Sequence, residues 1–452
     1  MIELENHQNI LSKVLNIASK SDRRMEAYEA MNLSDENRLL LYCTKTEISE
    51  SKLDQIKKLI TLPLNWEKVL QSALWHGVAP LAYHNLKDIE ESKLIPKEVM
   101  DSLKSEHHRN LAKNMHLYSE LNCILEAFRE NGIKVVVLKG TALAKTVYSN
   151  MALRPMSDID LLIKKDDISL AEQIMSDLGY RFEDYKSPEW YKENHFHLCY
   201  FHPEKSATVE IHWHIGRASH PTQIAISDNS TIERLWERAR AIEIGGMETL
   251  VLSPDDLLFH LSLHFFKHRF INGAFTSKGA LIQLCDIVHS LKDYKNEFDW
   301  ASLRREAERT GTIGIISSTL YIVRELYDAN DDILDEALSL FRAESVDGEL
   351  LRLIQKRIFV IEDSMPSSFL QSLAANKVRN KVKSFLQTVF PHREVLSKRY
   401  SIPSSSKKLY LYYMFRPFRL LIKYRKLLWK SIVSREDFKE EVILTRWINS
   451  KN

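Results

Sequence analysis

Cysteine is scarce in this chain. Cys43, Cys123, Cys199 and Cys285 stand far apart, with no CxxC and no Cys–His pair at zinc-ligand spacing. That excludes a disulfide framework and a zinc-finger module, and fits a reducing cytosol. Glycine and proline are rare as well, 12 of each in 452 residues, which argues against a turn-rich all-β protein and for long helices. Long apolar runs are missing. The nearest, Leu409 to Ile422, is broken by Arg416, Pro417 and Arg419, whereas a membrane span needs about 20 apolar residues. The first ten residues, MIELENHQNI, carry acids where a secretory leader needs Lys or Arg. No GxxxxGK[ST] occurs, so the chain is not a P-loop NTPase. The expectation is a cytoplasmic protein with no transmembrane segment.

Hydrophobic residues make up 44% and charged residues 27%, an ordinary globular balance for a chain long enough to form several packed units. The formal net charge of +2 hides an asymmetry. Between Asn376 and Arg435 there are 16 Lys and Arg against one acid, Glu394, so the remainder is acidic.

Residues 1–129 read as helices. Asn65 caps one that begins at Trp66, and Leu111, Met115, Tyr118, Leu121, Leu125 and Phe128 form the apolar face of a longer one ending at Asn131-Gly132. Residues 130–252 change character. Ile133 to Leu138 and Asp158 to Ile163 are short strand-like runs, with a helix after Lys139-Gly140-Thr141 and another from Asp166 to Gly179, Leu170, Ile174 and Leu178 turned inward. His195 to His202 and Val209 to Ile215 follow as strands. Helices return over 253–375, one opened by Ser253-Pro254-Asp255 and one by Asp299, and 376–452 is a basic helical tail. The fold class is α+β: a small mixed-sheet core between N- and C-terminal helical regions.

Asp158 and Asp160 carry the sharpest signal. Two residues apart on a strand, they share a face about 6.6 Å apart along the backbone, and neighbouring carboxylates repel unless a cation lies between them. In the later strand Glu210, His212 and His214 alternate with Val209, Ile211, Trp213 and Ile215. If the two strands are neighbours, Glu210 is a third carboxylate, and three hard oxygen ligands suit Mg2+ or Mn2+ rather than zinc. Gly140 at a strand-to-helix turn allows close backbone approach to an anion. The histidines at 195, 197, 202, 212, 214 and 220, and the ladder His260, His264, His268, read as core or surface groups, with His212 as a side chain that orients an acceptor.

Together the Gly-Thr turn, the Asp-Ile-Asp strand and the later acidic strand resemble the polymerase-β-type nucleotidyltransferase superfamily. The string Leu138-Lys139-Gly140, Tyr148 and Arg154-Pro155-Met156-Ser157-Asp158-Ile159-Asp160-Leu161-Leu162 is similar to its bacterial "uncharacterised nucleotidyltransferase" family. So are Trp66 to Leu81, Val209 to Trp213 and the segments around His260, His264 and Asp286. The resemblance implies transfer of a nucleoside monophosphate from an NTP to a hydroxyl or phosphate acceptor, a small molecule or peptide. Asp158, Asp160 and Glu210 would be catalytic and would hold Mg2+ or Mn2+, while Lys139, Gly140, Thr141 and Arg154 would contact the nucleotide. The alternatives are a catalytically silent nucleotide- or partner-binding scaffold and an RNA-directed transferase using the tail. RNA is the less favoured partner, because Leu409, Leu411, Leu420, Leu421, Ile422, Leu427, Leu428 and Ile432 form a stripe that a docked helix would bury.

Overall fold

The computed structural model describes residues 33–433, apart from 149, 184–186, 217–228, 272–273, 276, 328–331, 342–347, 360–389, 391–392, 394–395 and 397–405; beyond 420 it describes the backbone alone. His220 and much of the basic segment lie outside the described residues.

The architecture is α+β. Helices come first, and among the described residues no strand precedes Val136. Asn65 accepts from the Lys68 amide and opens the Trp66–Trp75 helix. A 34-residue helix, Lys97–Glu130, then leads into a seven-stranded mixed sheet. Its strands are β1 (Val136–Leu138), β2 (Ile159–Leu162), β3 (Arg181–Phe182), β4 (His197–His202), β5 (Ala207–His212), β6 (Arg240–Ile244) and β7 (Met247–Val251), in the order β3-β4-β5-β2-β1-β7-β6. Parallel pairing joins β2 to β5 and β1 to β7, and the other neighbours are antiparallel.

Alternation along the strands separates two layers. Val137, Ile159, Leu161, Leu198, Tyr200, Val209 and Ile211 pack with Leu117, Leu121, Ile124, Phe128, Ile174 and Met175 from the Lys97–Glu130 and Ile168–Asp177 helices. Val136, Leu138 and Leu162 face the opposite way, into a larger core that includes Leu258, Phe259, Leu261 and Phe265 of the Pro254–Arg269 helix. The same core takes in Leu39 to Leu103 and Ile316 to Ile358, so helices from before and after the sheet share one apolar interior. Ser253 caps Pro254–Arg269 by accepting from the Asp256 amide, and Asp299 caps Trp300–Arg309 by accepting from Ser302.

Three expectations are corrected. In the Lys97–Glu130 helix the buried stripe runs through Asn110, Asn114, Leu117, Leu121 and Leu125, while Met115 is exposed and Leu111 half-buried. Two asparagines win the inner face because their amides donate to the carbonyls of Met151, Ala152 and Arg154, in the loop ahead of β2. Leu170 is exposed, and Ile174 with Met175 takes the inner face of its helix. In the Lys408–Val433 helix Leu409 is buried, but Leu411, Met414, Phe415 and Phe418 are each more than half exposed. Spaced as i, i+3, i+4 and i+7, they lie on a different side from Leu409 and the buried Arg416. The expected burial of Leu411 is therefore not found, and the side chains of Leu421, Ile422, Leu427, Leu428 and Ile432 lie outside the described residues. Among the described residues no helix is long and apolar enough to cross a membrane.

Candidate active site

The second layer of the sheet carries the polar cluster. Parallel pairing places Asp160 directly beside Glu210, and the antiparallel β4–β5 pair places His197 beside His212. With a side-chain period of two, Asp160, Glu210, His212 and His197 all project from the face opposite Leu161 and Ile211. Each strand thus buries one row in the apolar layer and turns the other toward the Pro254–Arg269 helix.

Lys139 enters from the end of β1. Its backbone sits in the left-handed region at φ 47°, unusual for a residue with a side chain and costing about 1–3 kcal/mol. The turn carries the ammonium back over the sheet, where Nζ lies 2.5 Å from Asp160 Oδ1 and 3.8 Å from Glu210 Oε2. His212 Nε2 lies 3.0 Å from the same Asp160 oxygen and 3.1 Å from Glu210 Oε2. Both partners are acceptors, so Nε2 bears the proton and donates to them. Its Nδ1 is buried with no hydrogen-bond partner.

The electrostatics follow from this packing. Burial works against both charged carboxylates, but the Lys139 ammonium and the His212 hydrogen bond outweigh it for Asp160, whose pKa is held below the ordinary range. Glu210 is also pulled down: the His212 hydrogen bond and Lys139 outweigh its own burial cost. Asp158 goes the other way. Burial raises its pKa, and the charges of Asp160 and Glu210 add to the rise. β2 begins at Ile159, so Asp158 stands one residue before the strand, accepting from the Ser157 hydroxyl at 2.8 Å.

The expected nucleotide-contact residues sit behind and beside this cluster. Gly140 packs so closely on Arg154 that a Cβ there would overlap the Arg154 guanidinium. Thr141 is fully buried, its hydroxyl without a hydrogen-bond partner, and its carbonyl accepts from Tyr118 at 2.7 Å. Arg154 is engaged elsewhere. Nε and Nη2 clamp Asp286 at 3.2 and 2.7 Å, and Nη1 donates to the Pro155 carbonyl. Burial disfavours the Arg154 charge, but Asp286 more than restores it and raises the pKa. Tyr148 donates to the same Asp286 at 2.9 Å, so one acid on the Ala280–Asp293 helix anchors both ends of the segment from Tyr148 to Arg154.

Several residues near the site were not expected there. The Pro254–Arg269 helix turns His260, His264, His268 and Lys267 toward the acidic cluster, their charges coupled to Lys139 and, for His260, Lys267 and His268, to Asp160 or Glu210. Burial is the chief cause of their shifts: His260 and His268 fall to about 3, and Lys267 to about 8 with Lys139 adding to the drop. Lys267 Nζ also sits 4.8 Å over the Phe196 ring. The four-residue histidine spacing was visible in the sequence. Its orientation was not, because nothing local says which face of that helix meets the sheet.

A divalent cation fits this donor set. The carboxylates of Asp160 and Glu210 converge on one position already taken by a positive charge, and Asp158 lacks enough positive charge nearby to keep its pKa down. Neither the curated proteins nor the solved structures contain a match to this sequence. The family model described as "Uncharacterised nucleotidyltransferase" matches residues 63–328, more than half of the chain, and spans every residue of the site: the protein belongs to that family of nucleotidyltransferases.

Proposed function

We propose that the protein transfers a nucleoside monophosphate from an NTP to a hydroxyl or phosphate acceptor, a small molecule or a peptide, with Asp158, Asp160 and Glu210 holding Mg2+ or Mn2+. The observation that carries this reading is the register pairing of Asp160 with Glu210 around a single cation position. Bound there, the metal would lower the pKa of the acceptor oxygen and neutralise charge on the departing pyrophosphate. The protein's own groups do the rest. Lys139 is poised to leave Asp160 for a phosphate oxygen, and Lys267 on the facing helix supplies a second cation. Gly140, whose missing Cβ makes room for Arg154, holds the turn from which the helix that starts at Lys139 would offer its first backbone N–H groups to the phosphates. Thr141 completes that turn. Arg154 supports the same turn from behind through Gly140 and Asp286. Family membership and the clustering of acids with Lys139 support the reading. RNA is not the favoured acceptor, since Arg416 is buried and Arg393 lies over the Tyr410 ring, which leaves fewer tail cations for phosphates.

One observation favours a second reading. An ammonium between Asp160 and Glu210 is also what a silent, partner-binding scaffold would use in place of a metal. Metal-dependent pyrophosphate release from an NTP separates the two.

A further inference from the structure

We propose that His197, Glu210 and His212 form a binding site for a borderline transition-metal ion of the Zn2+ and Co2+ class, different in ligand chemistry from a Mg2+ site. Each residue offers one ligand atom, and these atoms all lie within 4.8 Å of one another. They are not an accident of flexible side chains. The β4–β5 register sets His197 opposite His212, and Glu210 precedes His212 by two residues on the same strand face. Glu210 is divided between two neighbours: Oε2 takes the His212 and Lys139 contacts, while Oε1 points to His197 Nε2 at 4.0 Å.

A second observation points to a missing ligand. The Nδ1 atoms of His197 and His212 are buried without a hydrogen-bond partner, and so are both ring nitrogens of His260 on the facing helix. A buried polar nitrogen left unpaired is costly, and native interiors seldom tolerate several in one cluster. Two imidazoles and one carboxylate select Mn2+, Fe2+, Co2+ or Zn2+ over Mg2+, which prefers oxygen and keeps its waters. The inference does not require nucleotidyl transfer. It shares only Glu210 with that reading.

Cobalt tests it, because Co2+ bound by imidazole has a visible d–d spectrum that the hydrated ion lacks. Chelator-treated protein titrated with Co2+ should take up one ion per chain with that spectrum. Zn2+ should displace it, and Mg2+ at roughly 1000-fold excess should not, as expected where nitrogen ligands decide affinity. His197→Ala should weaken Co2+ binding by more than the roughly 10–100-fold lost with an outer-shell partner. Displacement of Co2+ from the wild type by Mg2+ would overturn the proposal without any variant having to fold. So would wild-type affinity in a folded His197→Ala. The readout is metal uptake, so it stands or falls separately from pyrophosphate release.

Discussion

Lys139 and Asp160 form a buried ion pair, 2.5 Å long, between a residue in a strained backbone conformation and a carboxylate at the middle of the sheet. Breaking such a pair by removing one partner costs about 3–5 kcal/mol, because the other charge stays buried and unpaired. Lys139→Met should therefore lower the thermal midpoint by several degrees. Added Mg2+ should then raise it more in the variant than in the wild type, since the metal takes over the vacated charge position. Thermal melts at several Mg2+ concentrations check this. Equal Mg2+ responses in the two proteins would mean that Lys139 does not occupy the metal's place.

Acid should destabilise the fold early. His76, His260 and His289 are buried, and burial, their largest influence, lowers their pKa values to about 3, about 3 and about 4. In the unfolded chain a histidine titrates near about 6.5. Below that pH the unfolded state binds more protons than the folded one, so stability rises with pH. The contribution is fully present above about pH 6.5 and is lost as pH falls toward the folded values, at about 1.4 kcal/mol per pH unit for each group. Denaturant midpoints between about pH 7 and pH 5 should fall steeply, ahead of the range in which ordinary carboxylates titrate. A flat profile there would mean that these histidines protonate without unfolding the chain.

Much of the site could be read in the sequence, for identifiable reasons. Asp160 and Glu210 sit in strands whose alternate residues, Ile159, Leu161, Val209 and Ile211, are strongly apolar, so the period of two announced both the strand and the face. Asn65, Ser253 and Asp299 announced their helices because capping is local. What could not be read depends on distant partners. The stripe through Asn110 and Asn114 is set by carbonyls some 40 residues away, at Met151, Ala152 and Arg154. The pair His197 and His212 comes together only through the β4–β5 register. The β6–β7 hairpin carries a local signal of its own, Gly245-Gly246 at positive φ between two strand-like runs.

Arg154 and Asp286 should behave as one unit. Arg154→Met and Asp286→Asn each leave a partner unsatisfied in the interior, and each should cost about 3–5 kcal/mol of stability. The double variant should be less destabilised than the sum of the two, because the second change removes a charge that the first stranded. Urea unfolding of the four proteins measures the coupling. Strict additivity would show that the bidentate contact contributes nothing, and would return Arg154 to the nucleotide.

On the proposed function, Asp160 and Glu210 bind a metal that drives nucleotidyl transfer. The most direct measurement is pyrophosphate release from each NTP in turn, with a small-molecule cell extract as the source of acceptor. The wild type with Mg2+ should release pyrophosphate. Excess chelator should stop it, and Asp160→Asn, which removes a charge and almost no volume, should abolish it while melting as a folded protein. Release that survives the chelator, or that is equal in Asp160→Asn and the wild type, would contradict the account.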